Sequence, residues 1–145
     1  MISLPIVPES LVLSDVFPGA VVVYSYERNV GYVRVQEGHE LKRGKGYWIL
    51  LDQNQNYNLT GQPIQSYTLP VSENGWEMIG GCTLDAQASV ENGIIKVIYH
   101  YKQGSGYQRV LESEHIKPSQ GYWILFEDVT DQCELTVEAT DSDIH

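Results

Sequence analysis

The hydrophobic and polar positions of this chain alternate with the two-residue period of β-strands. In the second half, β-branched and aromatic runs occupy residues 66–71, 76–80, 94–101, 107–112, 121–127 and 133–139. Turn sequences such as Glu91-Asn92-Gly93 and Gly104-Ser105-Gly106 separate these runs. Short strands at this spacing predict an all-β sandwich or barrel. The helix signal is weak and starts after Pro8, so we expect at most one or two short helical turns.

The alternation also predicts which strand face is buried. Ile95, Val97, Tyr99 and Tyr101 share one apolar face, and Ala20, Val22, Tyr24 and Tyr26 repeat the same phase. The opposite phase carries Lys96 and His100, with Ser25 in the first half, so we expect it to be partly wet. The aromatic residues predicted as structural core are Tyr24, Tyr26, Trp48, Trp76, Tyr99, Tyr101 and Trp123.

The strongest signal is an internal repeat. Sliding the chain by 75 positions places residues 22–50 on residues 97–125 with 14 of 29 positions identical and no gap. Gly46-Tyr47-Trp48-Ile49-Leu50 then falls on Gly121-Tyr122-Trp123-Ile124-Leu125. We expect two homologous β-rich repeats in a pseudo-symmetric sandwich or barrel-like assembly, with residues 1–62 as the first and 63–145 as the second. The counterparts of Ser66 to Trp76 would precede Met1, so the first repeat is expected to lack its opening strand.

These motifs resemble a tandem repeat of large secreted and cell-surface proteins of bacteria. That repeat reads Gly-Trp-Asn-Leu-Ile-Ser-Leu-Pro, then Tyr-x-Tyr, then Gly-x-Gly-Tyr-Trp. The matching segments are Trp76-Glu77-Met78-Ile79-Gly80, Met1-Ile2-Ser3-Leu4-Pro5 and both Gly-Tyr-Trp-Ile segments. The resemblance implies a β-rich accessory module in an extracellular or cell-surface setting, and it implies no particular activity. The second copy departs from it at Gly80-Gly81-Cys82-Thr83, where Ser-Leu-Pro is expected.

Composition and charge disfavour some classes of binding partner. Nine Lys and Arg against nineteen Asp and Glu give a formal net charge of −10, which disfavours nucleic acid and anionic membrane surfaces. No apolar run approaches the ~20 residues of a membrane-spanning helix, so we expect no membrane insertion. Residues 1–5 carry no basic leader and no small-residue cleavage site follows them, so we do not expect a signal peptide in this sequence. Cys82 and Cys133 are too few for a disulfide framework; one bridge is an alternative, and two buried free thiols are at least as good an interpretation.

Two sets of residues are candidates for ligand binding. The aromatic residues could form a flat platform for sugars, although core packing is the plainer interpretation. Tyr32 with Arg34, and Tyr107 with Arg109, place a phenol and a guanidinium on one strand face in both repeats. Each pair could bind an acidic or planar ligand, but we expect an intramolecular cation–π or hydrogen-bond contact instead.

Other candidate chemistry is weak. Gly46 and Gly121 are interpreted as turn or bulge residues, and no phosphate-binding loop pattern is present. Residues 52–56 begin like a calcium loop, but Tyr57 and Pro63 occupy positions that require Gly and Glu. The histidines at 39, 100, 115 and 145 lack metal-ligand spacing, and the matched Glu37 and Glu112 need no role beyond solvation. We therefore expect no metal, no cofactor and no catalytic residues.

The sequence thus predicts a non-catalytic β-repeat module that acts as a spacer, adhesion or protein-interaction element. The alternative is a carbohydrate-binding module with an aromatic platform, and a small-molecule enzyme ranks last. We also expect an open strand edge that pairs with another chain, with a homodimer as one form of that pairing.

Overall fold

A computed structural model describes residues 1–111 and 114–140, and in these residues the chain is all-β with one short helix. The first half contains β1 (Ile6–Pro8), α1 (Leu13–Val16), β2 (Val22–Glu27), β3 (Gly31–Arg34), β4 (Trp48–Leu50) and β5 (Gly61–Pro63). The second half contains β6 (Ser66–Pro70), β7 (Gly75–Gly80), β8 (Ala86–Glu91), β9 (Ile94–Lys102), β10 (Gly106–Arg109), β11 (Gly121–Glu127) and β12 (Glu134–Ala139). The predicted all-β class and the single helical turn are confirmed.

Most predicted strands of the second half are present, and two differences have physical causes. The run predicted over 107–112 leaves the strand after Arg109, and residues 112 and 113 lie outside the described residues. β8 was not predicted, because Ala86-Gln87-Ala88-Ser89-Val90-Glu91 is poor in β-forming side chains. Six rungs of pairing with β12, from Ala86 to Glu91, supply the support that local propensity lacks.

The strands form four open antiparallel sheets. Their strand orders are β3-β2-β4, β1-β5, β10-β9-β11-β7 and β6-β12-β8. The predicted boundary between residues 62 and 63 falls inside β5, which pairs with β1. No helix in residues 1–111 and 114–140 has the length and apolar character needed to cross a membrane.

The buried residues form two clusters, one in each half. The first comprises Leu4, Leu13, Val16, Phe17, Val23, Leu41 and Tyr47. The second joins residues from the β7, β9 and β11 sheet to residues from the β6, β8 and β12 sheet. Its fully buried members include Tyr122, Ile124, Phe126, Leu135 and Val137. Since every second residue of β11 belongs to this cluster, Trp123 and Leu125 face the other way.

The prediction that the matched strand aromatics form the core is wrong. Tyr24, Trp76 and Tyr101 are exposed, and Tyr26, Trp48, Tyr99 and Trp123 are only partly buried. In β2 the buried phase is the opposite one, with Val23 at 1% and Ser25 at 8% exposure.

The reason is that the opposite, more polar phase also supplies core residues, Val23 in β2 and Ile98 in β9, so alternation alone does not identify the face that meets the core. The pairing of β11 with β9 also shifts register between Leu125 and Phe126. Because of this bulge, Ile95 and Val97 lie on different faces although they are two residues apart. Ile95 consequently packs against the core cluster together with Ile98. Val97 pairs with Leu125 on the aromatic side.

The opening segment of each half crosses to the other half. Ile2 bridges both Tyr47 and Gln120, while Ile79 pairs with Tyr122 and bridges Lys45. The matching hydrogen bonds run from Gly121 N–H to Met1 O (3.2 Å), Gly46 N–H to Met78 O (3.3 Å), Ser3 N–H to Ser119 O (2.9 Å) and Gly80 N–H to Gly44 O (3.1 Å). The two halves are therefore tied by backbone hydrogen bonds at their shared seam.

Gly46 and Gly121 lie on this seam and are not turn residues. A Cβ on Gly46 would lie 2.8 Å from Ile79 O, and one on Gly121 would lie 2.9 Å from Ile2 O. Neither glycine has a positive φ. Their role is the close approach of two backbones, which corrects the interpretation as turn or bulge residues.

Candidate functional site

In each Tyr-Trp dipeptide, the tyrosine is buried in the core and the tryptophan points away from the core. In a strand, neighbouring residues point to opposite faces, so Tyr47 and Tyr122 enter the core while Trp48 and Trp123 face away from it. Each buried tyrosine oxygen accepts a hydrogen bond of 2.8 Å, from Lys42 N–H for Tyr47 and from Lys117 N–H for Tyr122. Burial raises the pKa of both Tyr47 and Tyr122 above the ordinary value for a phenol. These tyrosines are structural anchors, and they fix the tryptophans on the opposite face.

Strand pairing places further aromatic residues beside the two tryptophans. The cross-strand pairs on this face are Tyr24 with Trp48, Tyr26 with Tyr32, Tyr99 with Trp123, Tyr101 with Tyr107, and Trp76 with Leu125. Residues directly opposite each other in an antiparallel pair have Cβ atoms about 4.5–5.5 Å apart, close enough for rings to touch. The result is an aromatic face on each of the two sheets.

Edge-to-face contacts connect the aromatic residues of the two halves. The ring centroids of Tyr26 and Trp123 are 4.8 Å apart at 76°, and those of Trp48 and Tyr101 are 5.1 Å apart at 67°. These two contacts join positions that match under the 75-residue shift. Contacts of this kind contribute about 0.5–1.5 kcal/mol each beyond the area that they bury.

An open groove lies on the second-half side of these faces. Its lining consists of Tyr26, Trp76, Tyr99, Tyr107 and Trp123, which enclose about 630 Å³. We call this cleft the aromatic groove. The ring of Trp76 stands at 87° to that of Trp123, with centroids 6.2 Å apart, so one indole forms a wall beside the other. Trp76 is 37% exposed and Tyr107 is 53% exposed, so part of this aromatic surface meets solvent.

The four residues predicted as ligand-binding belong to the strand pairs that carry the aromatic residues, and one of them lines the aromatic groove. Tyr107 lines it, and the ring of Tyr32 lies 6.2 Å from that of Trp123. Arg34 is the cross-strand partner of Tyr24, and Arg109 is the partner of Tyr99.

The intramolecular contacts that we expected for the two arginines are absent from the described part of the chain. Tyr32 Oη accepts a hydrogen bond of 3.2 Å from Trp48 Nε1 and none from Arg34. The cation–π contact in the described residues belongs to Arg28, which lies 5.9 Å from the centroid of Phe126. Arg34 and Arg109 are exposed, and neither makes an ion pair or side-chain hydrogen bond within residues 1–111 and 114–140.

Other candidate chemistry does not converge. Cys82 and Cys133 are free, buried thiols, and burial raises the pKa of both. No group of three His, Cys, Asp or Glu that could hold a metal ion occurs among the residues that the structure describes. Glu112 and His145 lie outside these residues.

Sequence reasoning missed the groove itself. Trp76 and Trp123 belong to strands that pair in space but lie far apart in the chain, so their contact follows from register alone. One sequence signal could have indicated the groove. Both faces of β11 are apolar, with Tyr122, Ile124 and Phe126 on one face and Trp123 and Leu125 on the other. A strand that is apolar on both faces needs something to cover each face.

Comparison with known proteins gives no family for this chain. No protein-family model matches it, and neither a curated protein nor a solved structure matches it. The resemblance to a bacterial surface repeat therefore stays an expectation based on motifs. The side chains of the aromatic groove are the basis for assigning a function.

Proposed function

We propose that this chain is a non-catalytic adhesion module of a bacterial surface or secreted protein, and that it binds carbohydrate through the aromatic groove. The observation that carries the proposal is a solvent-open groove of about 630 Å³ lined by five Tyr and Trp side chains. This exposure favours the carbohydrate-binding alternative over a pure spacer. A contiguous exposed aromatic patch marks an interaction site, which a spacer does not need.

Aromatic rings suit sugars for a physical reason. One side of a pyranose ring presents C–H groups, which pack against the face of an indole or phenol and shed water there. The hydroxyl groups at the rim of the sugar stay in water or meet a phenol oxygen. An open groove lets the chain of a polysaccharide pass through, whereas a closed pocket would take only its end.

The composition of the lining supports binding over catalysis. General acid–base and nucleophilic chemistry need a carboxylate, imidazole, thiol, amine or activated hydroxyl near the reacting atoms. The five lining residues offer rings and phenol groups and no such set. A glycan in this groove would be held without being cut.

We further propose that the two halves are copies of one repeat, related by an approximate two-fold axis through the seam. The support is that matched residues make matched bonds, including Val35 N–H to Val23 O and Val110 N–H to Ile98 O, both 2.8 Å. Within the second half, the shared buried cluster of the β11 and β12 sheets supports a sandwich arrangement. The repeat places equivalent tryptophans on one face, which is how the aromatic face arises.

A second role in protein interaction has its own support. β11 pairs with β7 over six rungs, whereas the matching edge of β4 pairs in the described residues only through the bridge between Ile2 and Tyr47. We propose that this edge accepts a strand from another chain, either a partner or a second copy. Mass measurement in solution tests the second-copy form: a dimer that grows with concentration is expected, and a monomer at every concentration contradicts it.

The carbohydrate proposal is tested with a panel of soluble polysaccharides in affinity electrophoresis or calorimetry. We expect at least one to bind, and Tyr107→Ala to weaken that binding by about tenfold, since a stacked ring contributes roughly 1–1.5 kcal/mol. Tyr24→Ala is the matched control, because Tyr24 is an exposed strand tyrosine on the same face that does not line the groove. Equal loss in both variants, or no binding of any polysaccharide, contradicts the proposal.

A further inference from the structure

Two arginines stand opposite tyrosines of the aromatic face, in a chain whose formal net charge is −10. Arg109 has two groove residues as neighbours: Tyr99 lies directly across the strand pair, and Tyr107 lies two positions earlier on the same face. Arg34 stands in the matching place beside Tyr24 and Tyr32. Both guanidinium groups are exposed and unpaired within the described ranges, 1–111 and 114–140.

In the described residues, the one acidic side chain of β7 and the one of β11 are each paired with a cation. By strand alternation, Glu127 shares the face of Trp123 and Leu125, and it is neutralised by Lys96 at 3.1 Å. Glu77 lies on the opposite phase from Trp76 and is paired with Arg28, also at 3.1 Å. Within residues 1–111 and 114–140, neither Arg34 nor Arg109 makes an ion pair with an acidic side chain, in a protein of formal net charge −10.

The net negative charge of the protein and the local contact between an arginine and a bound anion act over different distances. At physiological salt the Debye length is about 8 Å, so distant carboxylates slow the approach of an anion but contribute little once it touches the groove. An exposed guanidinium then offers a planar, bidentate match to a carboxylate. A nucleic acid presents a backbone charge at every nucleotide and needs many cations, whereas two arginines match a ligand that carries charge only sparsely.

We propose that the aromatic groove selects acidic glycans, with a sugar ring stacked on Trp123 or Tyr107 and its carboxylate bound by Arg109. Arg34, beside Tyr32, serves the same purpose for a neighbouring acidic sugar. This inference rests on the proposed carbohydrate binding and adds the class of sugar. The arginines are specificity determinants, and the aromatic rings provide the general affinity.

The experiment compares glycans that differ only in charge. Polygalacturonate and alginate are each offered in native form and after reduction of their carboxylates to neutral alcohols, beside a panel of neutral polysaccharides. The wild-type protein is expected to bind a native uronate at least tenfold more tightly than its reduced form, and raised salt is expected to remove most of that difference.

Variants assign the preference to particular side chains. Arg109→Gln is expected to remove about tenfold of the affinity for the native uronate and to leave affinity for the reduced form unchanged. Arg43→Gln makes the same charge change at an exposed residue away from the groove and is expected to have no effect. Tyr107→Ala is expected to weaken binding of both forms, since it removes the stacking surface. Circular dichroism confirms that each variant is folded.

The outcomes separate the two proposals. If the protein binds a neutral glycan or a reduced uronate as tightly as the native uronate, the acidic preference is overturned and the carbohydrate proposal stands. If Arg109→Gln and Arg34→Gln both retain full preference for the native uronate, the assignment to the arginines is overturned. If no polysaccharide in any form binds, both proposals fall.

Discussion

Gly46 lies where the backbones of the two halves come closest. A Cβ at this position would meet Ile79 O at 2.8 Å and Gly121 Cα at 3.4 Å, and backbone atoms cannot rotate away as a side chain can. We expect Gly46→Ala to lower the free energy of unfolding by about 1–3 kcal/mol, measured by urea denaturation. Gly38→Ala is the control, because a Cβ there meets nothing within 4 Å, and we expect a change below about 0.5 kcal/mol. Equal free energies of unfolding for the two variants would contradict the tight backbone packing inferred at Gly46.

Tyr67 makes the stability of the fold sensitive to alkali. Burial raises the pKa of Tyr67 well above its ordinary value of about 10, and its hydroxyl donates a hydrogen bond to Gly80 O. The native state therefore keeps this proton at a pH where the unfolded chain has lost it. Because ionisation then stabilises only the unfolded chain, the stability contributed by neutral Tyr67 is complete below pH ~10 and is lost as pH rises further.

The Tyr67→Phe variant tests this linkage. At pH 7 we expect a loss of about 1 kcal/mol from the missing hydrogen bond. Between pH ~10 and ~12 we expect stability to fall less steeply than in the wild type, as followed by urea denaturation at each pH. Tyr24→Phe removes a hydroxyl at an exposed position and is the control at pH 7, where we expect a change below about 0.5 kcal/mol. A Tyr67→Phe slope identical to the wild-type slope would contradict the burial argument.

At the scale of elements, the turn between β2 and β3 docks onto the turn between β6 and β7 chiefly through Arg28. Arg28 Nε lies 3.1 Å from Glu77 Oε2, and its guanidinium also donates hydrogen bonds to the carbonyl oxygens of Glu73 and Asn74. The side chain of Arg28 is only 16% exposed. One residue thus satisfies three acceptors across the boundary between the halves.

We expect Arg28→Ala to lower the free energy of unfolding by about 2–3 kcal/mol, since it leaves a partly buried carboxylate and two carbonyl groups without their donor. Lys96→Ala removes one partner of the Lys96–Glu127 pair, whose side chains are 58% and 45% exposed, and should cost less than about 1 kcal/mol. Chemical denaturation of both variants measures the difference. Similar losses would mean that Arg28 behaves as an ordinary surface ion pair.

The elements also show what the sequence could predict. Most strands of the second half followed from the alternation of Val, Ile and Tyr, because a strand needs only local pattern and turns. β8 did not, since its stability comes from pairing with β12 and not from its own residues. The buried face of β2 was predicted in the wrong phase because Ser25, a small hydroxyl, is buried with its Oγ 3.5 Å from Val33 O.

The aromatic groove could not be predicted from local sequence pattern either, because it forms where strands distant in the chain come together. Tyr32, Arg34, Tyr107 and Arg109 were identified from their spacing, but whether they face solvent depends on how the sheets meet. Trp76 joined the site only because β7 pairs with β11. The sequence marks positions that match under the 75-residue shift, and three-dimensional pairing decides which of them line a cleft.

At the scale of the whole molecule, the opening segment of each half crosses to the other half, which predicts that the two halves unfold as a single cooperative unit. Residues 1–62 contribute Ile2 to a bridge with Gln120, and residues 63–145 contribute Ile79 to a bridge with Lys45. Far-ultraviolet circular dichroism and tryptophan fluorescence should therefore give coincident unfolding curves in urea. Each half expressed alone should lack a cooperative transition. Two separate transitions, or a half that folds alone, would contradict this interlocking.

The aromatic groove makes a prediction that the three tryptophans can report individually. Their indole N–H groups give separate signals in a ¹H–¹⁵N correlation spectrum, which can be assigned by substituting each Trp with Phe in turn. Trp76 and Trp123 line the groove, whereas Trp48 does not. On titration with the polysaccharides of the panel, we predict that the Trp76 and Trp123 signals shift with a glycan that binds while the Trp48 signal shifts less. A spectrum in which no indole signal moves with any glycan, or in which only Trp48 responds, would contradict carbohydrate binding in this groove.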